Sequence, residues 1–211
     1  MFHLGLIKRE VYYFENPGPE NTDLVVEAVS KYLDLNKGIS DVVVASTSGL
    51  TALKFARALK GKAKVICVTE APYRREWGQP WPCLKPEHVQ ELTSLGAIVL
   101  DKAPYVFHSS LFEAAKWRTD FPELIVKETL YSLGQGFKVA VEVVLQAVSC
   151  GVLEPYKDVI GVGGSGEGAD TAIVLRATYP QLVFSKDSSK RLEIREVIAM
   201  PLKKKWWEFQ L

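Results

Sequence analysis

Apolar residues recur along this chain in two alternating rhythms, one of short β-branched runs and one of helical spacing. Val11-Tyr12-Tyr13-Phe14 reads as a strand, closed by the turn Glu15-Asn16-Pro17-Gly18-Pro19. Asn21, Thr22 or Asp23 can then cap a helix whose apolar positions are Leu24, Val25, Ala28, Val29, Tyr32 and Leu33, ending near Asn36-Lys37-Gly38. A strand at 41–45 and a helix through Leu53, Phe55, Ala56 and Leu59 come next, then a strand at 65–68. Residues 71–86 break the rhythm as a long ordered loop. A helix at 87–95 and a strand at 97–100 restore it, and the mixed-polarity helical stretch between Ser109 and Ser132 reads as an insertion. The valine-rich run from Lys138 to Val148 is too long for a strand and is stopped by Cys150-Gly151, so it predicts a mostly buried helix. Strands at 159–162, 171–175 and 196–200 complete the pattern. Strands alternating with helices predict an α/β fold: three α/β/α layers around a mostly parallel sheet, in one domain over residues 1–211 with a short C-terminal tail.

Composition narrows the function classes. The formal charge is +1, from 26 basic and 25 acidic residues, which leaves no global field for a polyanion such as nucleic acid. No apolar run reaches the length of a membrane span and the first twenty residues contain no cleavable leader, so the expectation is a soluble, cytoplasmic protein. The three cysteines form no C-x-x-C pair and are odd in number, arguing against a disulfide framework. His3, His88 and His108 are too scattered for a metal site. Cys83, beside Pro82, is the one thiol expected to be exposed, although a cysteine without a special role is the plainer reading. Aromatic residues in the 71–86 loop and in the tail Lys203-Lys204-Lys205-Trp206-Trp207 point to a homo-oligomer.

Two stretches carry the candidate chemistry. Ser46, Thr47, Ser48, Gly49 and Thr51 lie between a strand and a helix, where hydroxyls and unpaired N–H groups at a helix N-terminus favour an anion such as a phosphate. Gly163, Gly164, Gly168, Ala169, Asp170 and Thr171 follow another strand. Gly161, Gly163 and Gly166 spell G-x-G-x-x-G, but a strand rather than a helix follows, so the dinucleotide reading fails on context, and no Gly-Lys-Ser/Thr ending makes a P-loop. An anion-binding nest and a glycine-rich hairpin turn remain equally good readings of this loop. Tyr73, Trp77 and Trp81 could stack on a planar ring while Arg74 or Arg75 meets a phosphate; a loop buried in an oligomer interface fits as well. Glu142, inside an apolar helix, is read first as a structural acceptor tying two backbones together and second as an acid or base; Asp170 is first a turn residue.

Four motifs in order resemble one family: Phe14-x-Asn16-x-Gly18-x-Glu20-Asn21-Thr22, Val43 to Ala52, Gly134-x-Gly136-x-Lys138-Val139-x-Val141-Glu142, and Gly163-Gly164-x-x-x-Gly168-Ala169-Asp170-Thr171-Ala172. The chain is similar over most of its length to the stand-alone archaeal and bacterial proteins that resemble the C-terminal α/β domain of pyruvate kinase. The resemblance implies that fold, a phosphate site at the Ser46–Thr51 loop, flavin mononucleotide (FMN) as the ligand, and no pyruvate kinase activity, since the catalytic barrel is a different domain. An enzyme acting on a phosphorylated metabolite through Glu142 or Asp170 is the rival expectation, and a regulatory subunit answering to a sugar phosphate is the third.

Overall fold

The computed structural model describes residues 5–108, 116 and 122–206. Among these residues seven strands form one sheet: β1 (Tyr12–Phe14), β2 (Asp41–Ala45), β3 (Lys64–Val68), β4 (Ile98–Leu100), β5 (Asp158–Gly163), β6 (Thr171–Arg176) and β7 (Ile194–Pro201), in the order β1-β7-β6-β5-β2-β3-β4. The helices are α1 (Thr22–Leu35), α2 (Leu50–Ala58), α3 (Pro86–Ser94), α4 (Pro122–Tyr131) and α5 (Gln135–Ser149). β2 pairs in parallel with β3 and β5, β3 with β4, and β1 with β7, while β6 is antiparallel to both its neighbours. The seven residues between Gly163 and Thr171 are too few for a crossover helix, so β6 must turn back beside β5.

Burial on both faces explains the unbroken valine runs. Val42, Val44, Val65, Cys67, Ile160 and Val162 pack against α1 and α2 on one face. Val43, Ile66, Val68, Val159, Ile173 and Leu175 pack against α5 on the other. The period-two alternation along each strand assigns each side chain to its face. The mostly parallel three-layer α/β/α architecture read from the sequence is thus present.

Several boundaries move, each for a local reason. The 71–86 loop contains a 3₁₀ turn, Pro72–Trp77, begun by Pro72. Helix α5 starts at Gln135 rather than Lys138, because Gly136 acts as a contact surface and not as a breaker. A Cβ on Gly136 would lie 2.3 Å from Asp170 Oδ1, and one on Gly163 would lie 2.2 Å from the Gly136 carbonyl oxygen. A Cβ on Gly161 would lie 2.5 Å from the Ala140 carbonyl oxygen. Glycines on both elements therefore let α5 lie directly on β5. Of the stretch read as an insertion, α4 is described, while 109–115 and 117–121 fall outside the described residues.

Adding a methyl group at this backbone contact should be costly. Gly163→Ala is expected to lower unfolding free energy by about 1–3 kcal/mol, whereas Gly38→Ala, with nothing within 4 Å of its Cβ, should change it by less than ~0.5 kcal/mol. Urea titrations of the two variants check the contrast; equal losses would contradict the packing role.

Candidate functional site at the carboxyl edge of β2 and β5

β2 and β5 are neighbours, so the loops that leave them emerge side by side at the same sheet edge. Their outgoing connections diverge: β2 continues into α2, while β5 folds back into β6. Such a divergence at strand carboxyl ends is where open α/β sheets bind ligands.

The first loop is shaped by Gly49, which caps α2 in the left-handed region at φ 87°. Ser46 is buried and structural: its N–H donates to the Val68 carbonyl (2.9 Å) and its hydroxyl accepts from the Ala52 N–H (3.2 Å). Thr47 is half-buried and donates to Glu70 Oε1 at 3.3 Å. Ser48 is exposed, and His88 Nδ1 lies 2.7 Å from its carbonyl oxygen, which makes that nitrogen the donor. Thr51 is half-buried in the first turn of α2. Among the described residues, the backbone N–H groups of Thr47, Ser48, Gly49, Leu50 and Thr51 have no acceptor. They are the orphan donors of the helix start together with those of the loop that leads into it.

The second loop is a packing knot. Asp170 is fully buried and its carboxylate accepts from the Gly18 N–H (3.2 Å), the Ser165 N–H (3.1 Å) and the Thr171 hydroxyl (2.8 Å). The Thr22 hydroxyl donates to the Pro19 carbonyl (2.6 Å) and accepts from the Ala169 N–H (3.0 Å). Gly168, at φ 67°, has room for no side chain against Thr22 and Pro19, and a Cβ on Gly164 would lie 2.3 Å from the Gly168 carbonyl oxygen. Gly163 belongs to the α5 contact described above. These residues fasten the β5–β6 turn to the start of α1, and three of the loop's N–H groups, at Ser165, Ala169 and Asp170, are already committed. Of the predicted site residues, those around α2 leave donors open and those after β5 act chiefly as structure. The hairpin reading of the glycine loop accounts for its glycines.

No known protein-family model matches this chain.

Three residues join the first loop that the sequence alone did not single out. Glu70, just past β3, receives hydrogen bonds from the Thr47 hydroxyl and, on its other oxygen, from the Tyr105 hydroxyl. Tyr105 stacks on Trp77, with centroids 5.2 Å apart and planes at 19°. His88, from α3, braces Ser48. Their signal in the sequence was faint because the three come from segments that only the sheet order brings together. Arg74 lies 3.9 Å from Glu70, and its Nε is buried with no acceptor among the described residues. Trp81 is occupied otherwise: Arg75 lies over its ring at 4.7 Å and its indole N–H donates to the Asp101 carbonyl.

Glu142 fulfils its structural reading. It accepts from the N–H groups of Val106 (2.9 Å) and Phe107 (3.0 Å) and pairs with buried Lys138 one helical turn away. Burial by itself would raise its carboxyl pKa, but Lys138 and the Phe107 N–H hold it below the usual range. His108, in the same cluster, is pushed down to about 4 by burial and by the nearby Lys138 charge.

The cysteines need one correction. Cys83 is only half-buried with Arg74 Nη1 at 3.4 Å, while Cys150, where α5 ends at the surface, is the exposed thiol. Burial raises both thiol pKa values, which lowers their reactivity. Among the described residues no helix is long and apolar enough to cross a membrane, and no group of His, Cys, Asp and Glu is placed to hold a metal ion. Trp206 lies against Tyr131 with centroids 6.2 Å apart, and Trp207 falls outside the described residues.

Proposed function

We propose that the protein binds a phosphorylated small molecule with its phosphate at the start of α2. The observation that carries this reading is the run of N–H groups from Thr47 to Thr51 without acceptors among the described residues, at the positive end of a helix. Arg74, whose buried Nε has no acceptor among the described residues, lies 3.9 Å from Glu70, the partner of Thr47, and supplies a cation on that side of the loop. FMN is the ligand we favour. The resemblance to the stand-alone pyruvate kinase C-terminal-like proteins implies it, and the connected series Thr47, Glu70, Tyr105, Trp77 leads from the phosphate end to an aromatic surface where a flavin ring could stack. The hydrogen bonds of Glu142 support a structural role for it over an acid–base one.

Ser48 offers a clean test because it is exposed. A carboxylate placed there repels a phosphate and takes up the donors meant for it. Ser48→Asp is expected to weaken FMN binding at least about tenfold, a change of about 1.4 kcal/mol, with the melting temperature of the free protein unchanged. Fluorescence quenching of FMN on titration with each protein reads this directly, and equal affinities would reject the phosphate assignment.

A further inference from the structure

Glu70 is a charged group that the phosphate reading leaves unexplained. A carboxylate near a phosphate is unfavourable, yet this one stands next to Thr47, the first residue of the donor run. Its orientation is built: the Thr47 hydroxyl holds one oxygen and the Tyr105 hydroxyl the other. Arg74 Nη1 pairs with it only at a long 3.9 Å, and the Nη groups make their hydrogen bonds to Cys83 and Gln79, so among the described residues the carboxylate receives no hydrogen bond from the guanidinium. An ionised carboxylate has about four acceptor positions, and 36% of this side chain is open to solvent. What remains is a fixed acceptor with vacant lone pairs, one strand away from the phosphate donors.

Its position gives those lone pairs a use. β2 and β3 are adjacent and parallel, so their carboxyl ends lie one strand spacing apart, about 4.8 Å. The unit β2, loop, α2, β3 and then an acid reproduces the general arrangement in which one βα loop takes a phosphate and a carboxylate after the next strand accepts sugar hydroxyls. A phosphate monoester group, mostly a dianion at neutral pH, has no hydroxyl that needs such an acceptor. A pentose or pentitol attached to it carries several.

We infer that Glu70 is the receptor for vicinal hydroxyl groups of the ligand, and that the site therefore takes the phosphate ester of a pentose or pentitol. This rests on the phosphate site proposed above and adds to it the chemistry of the part next to the phosphate. Thr47 and Tyr105 are positioning residues that aim the carboxylate. The same carboxylate discriminates against a bare phosphate, which it repels, and against a deoxy sugar, which leaves one of its acceptor positions without a ligand donor.

The test is calorimetric titration of the full chain with ribose 5-phosphate, 2-deoxyribose 5-phosphate and inorganic phosphate. For the wild-type protein ribose 5-phosphate is expected to bind about tenfold or more tightly than its 2-deoxy analogue. Glu70→Gln should bring that ratio to about one while inorganic phosphate binds at least as tightly as to the wild type, since a repelling charge is removed. Tyr105→Phe, which keeps the carboxylate but frees one of its oxygens, should reduce the ratio part-way and covers the case in which Glu70→Gln fails to fold. A wild-type ratio near one with inorganic phosphate still bound, or a ratio that survives in both variants, overturns the assignment of Glu70 and leaves the phosphate site standing. Failure of all three compounds to bind, or binding indifferent to Ser48→Asp, overturns the phosphate site and this inference with it.

Discussion

Replacing Glu142 with leucine is expected to cost about 3–5 kcal/mol of unfolding free energy, the usual consequence of leaving one member of a buried ion pair alone. Lys138 and Glu142 are both buried, and the carboxylate also receives the Val106 and Phe107 N–H groups. The leucine thus strands an ammonium and two donors at once. Adding Lys138→Met to Glu142→Leu should restore the charge component and leave the cost of the two donors, so the double variant falls between the single variant and the wild type. The cluster also makes stability fall in acid. The carboxyl of Glu142 is held below its ordinary value, so its contribution is present above the unfolded-state pKa and lost as pH falls through the folded one. His108 acts earlier: between its ordinary value of 6.5 and about 4, the unfolded chain takes up a proton that the buried ring refuses, and stability falls with pH across that window. Urea titrations at pH 7 and pH 5 should show the wild type losing stability on acidification. A Glu142→Leu protein as stable as the wild type at pH 7 would contradict the buried-pair account.

The second large effect is expected at Asp170. Its carboxylate is the common acceptor of Gly18, Ser165 and Thr171, drawn from two segments about 150 residues apart in sequence. Asp170→Ala leaves these donors unpaired in a site that excludes water, at about 1–3 kcal/mol each. A total loss of about 3 kcal/mol or more is the expected outcome. Asp170→Asn should recover much of the loss, because an amide oxygen in the place of Oδ2 still accepts from both N–H groups and the NH₂ in the place of Oδ1 can donate to the Thr171 hydroxyl, which accepts as well as donates. Amide hydrogen exchange separates this role from ligand binding: in Asp170→Ala the Gly18 and Ser165 amides should lose protection in the free protein. Unchanged protection and stability, with only affinity reduced, would make Asp170 a ligand contact instead.

Much of this architecture was legible in the chain. The valine runs of β2, β3 and β5 and the helical spacing of α1 and α2 announce strands buried on both faces and crossover helices. Glu142 was legible too, since a carboxylate in an apolar helix needs partners wherever the helix goes. The glycines after β5 were ambiguous for a physical reason. A residue without a side chain serves a ligand, a turn or a close backbone contact equally well, and only the seating of α5 on β5 shows that Gly161 and Gly163 serve the last of these. Glu70, His88 and Tyr105 carried no local signal. They follow or sit beside different strands, and the order β5-β2-β3-β4 is what gathers them around the Ser46–Thr51 loop. The hydroxyls of that loop were overcounted in turn, because Ser46 is spent inside α2 and Thr47 on Glu70, so the loop offers an anion its backbone more than its side chains.

The most direct measurement is the change in backbone amide chemical shifts of the ¹⁵N-labelled protein on titration with FMN. Saturable shifts are expected, largest at the amides of Thr47, Ser48, Gly49, Leu50 and Thr51, with indole shifts at Trp77 following the same isotherm. Saturable shifts that leave these five amides in place and cluster elsewhere, or no shifts at all, would contradict a phosphate site at the start of α2.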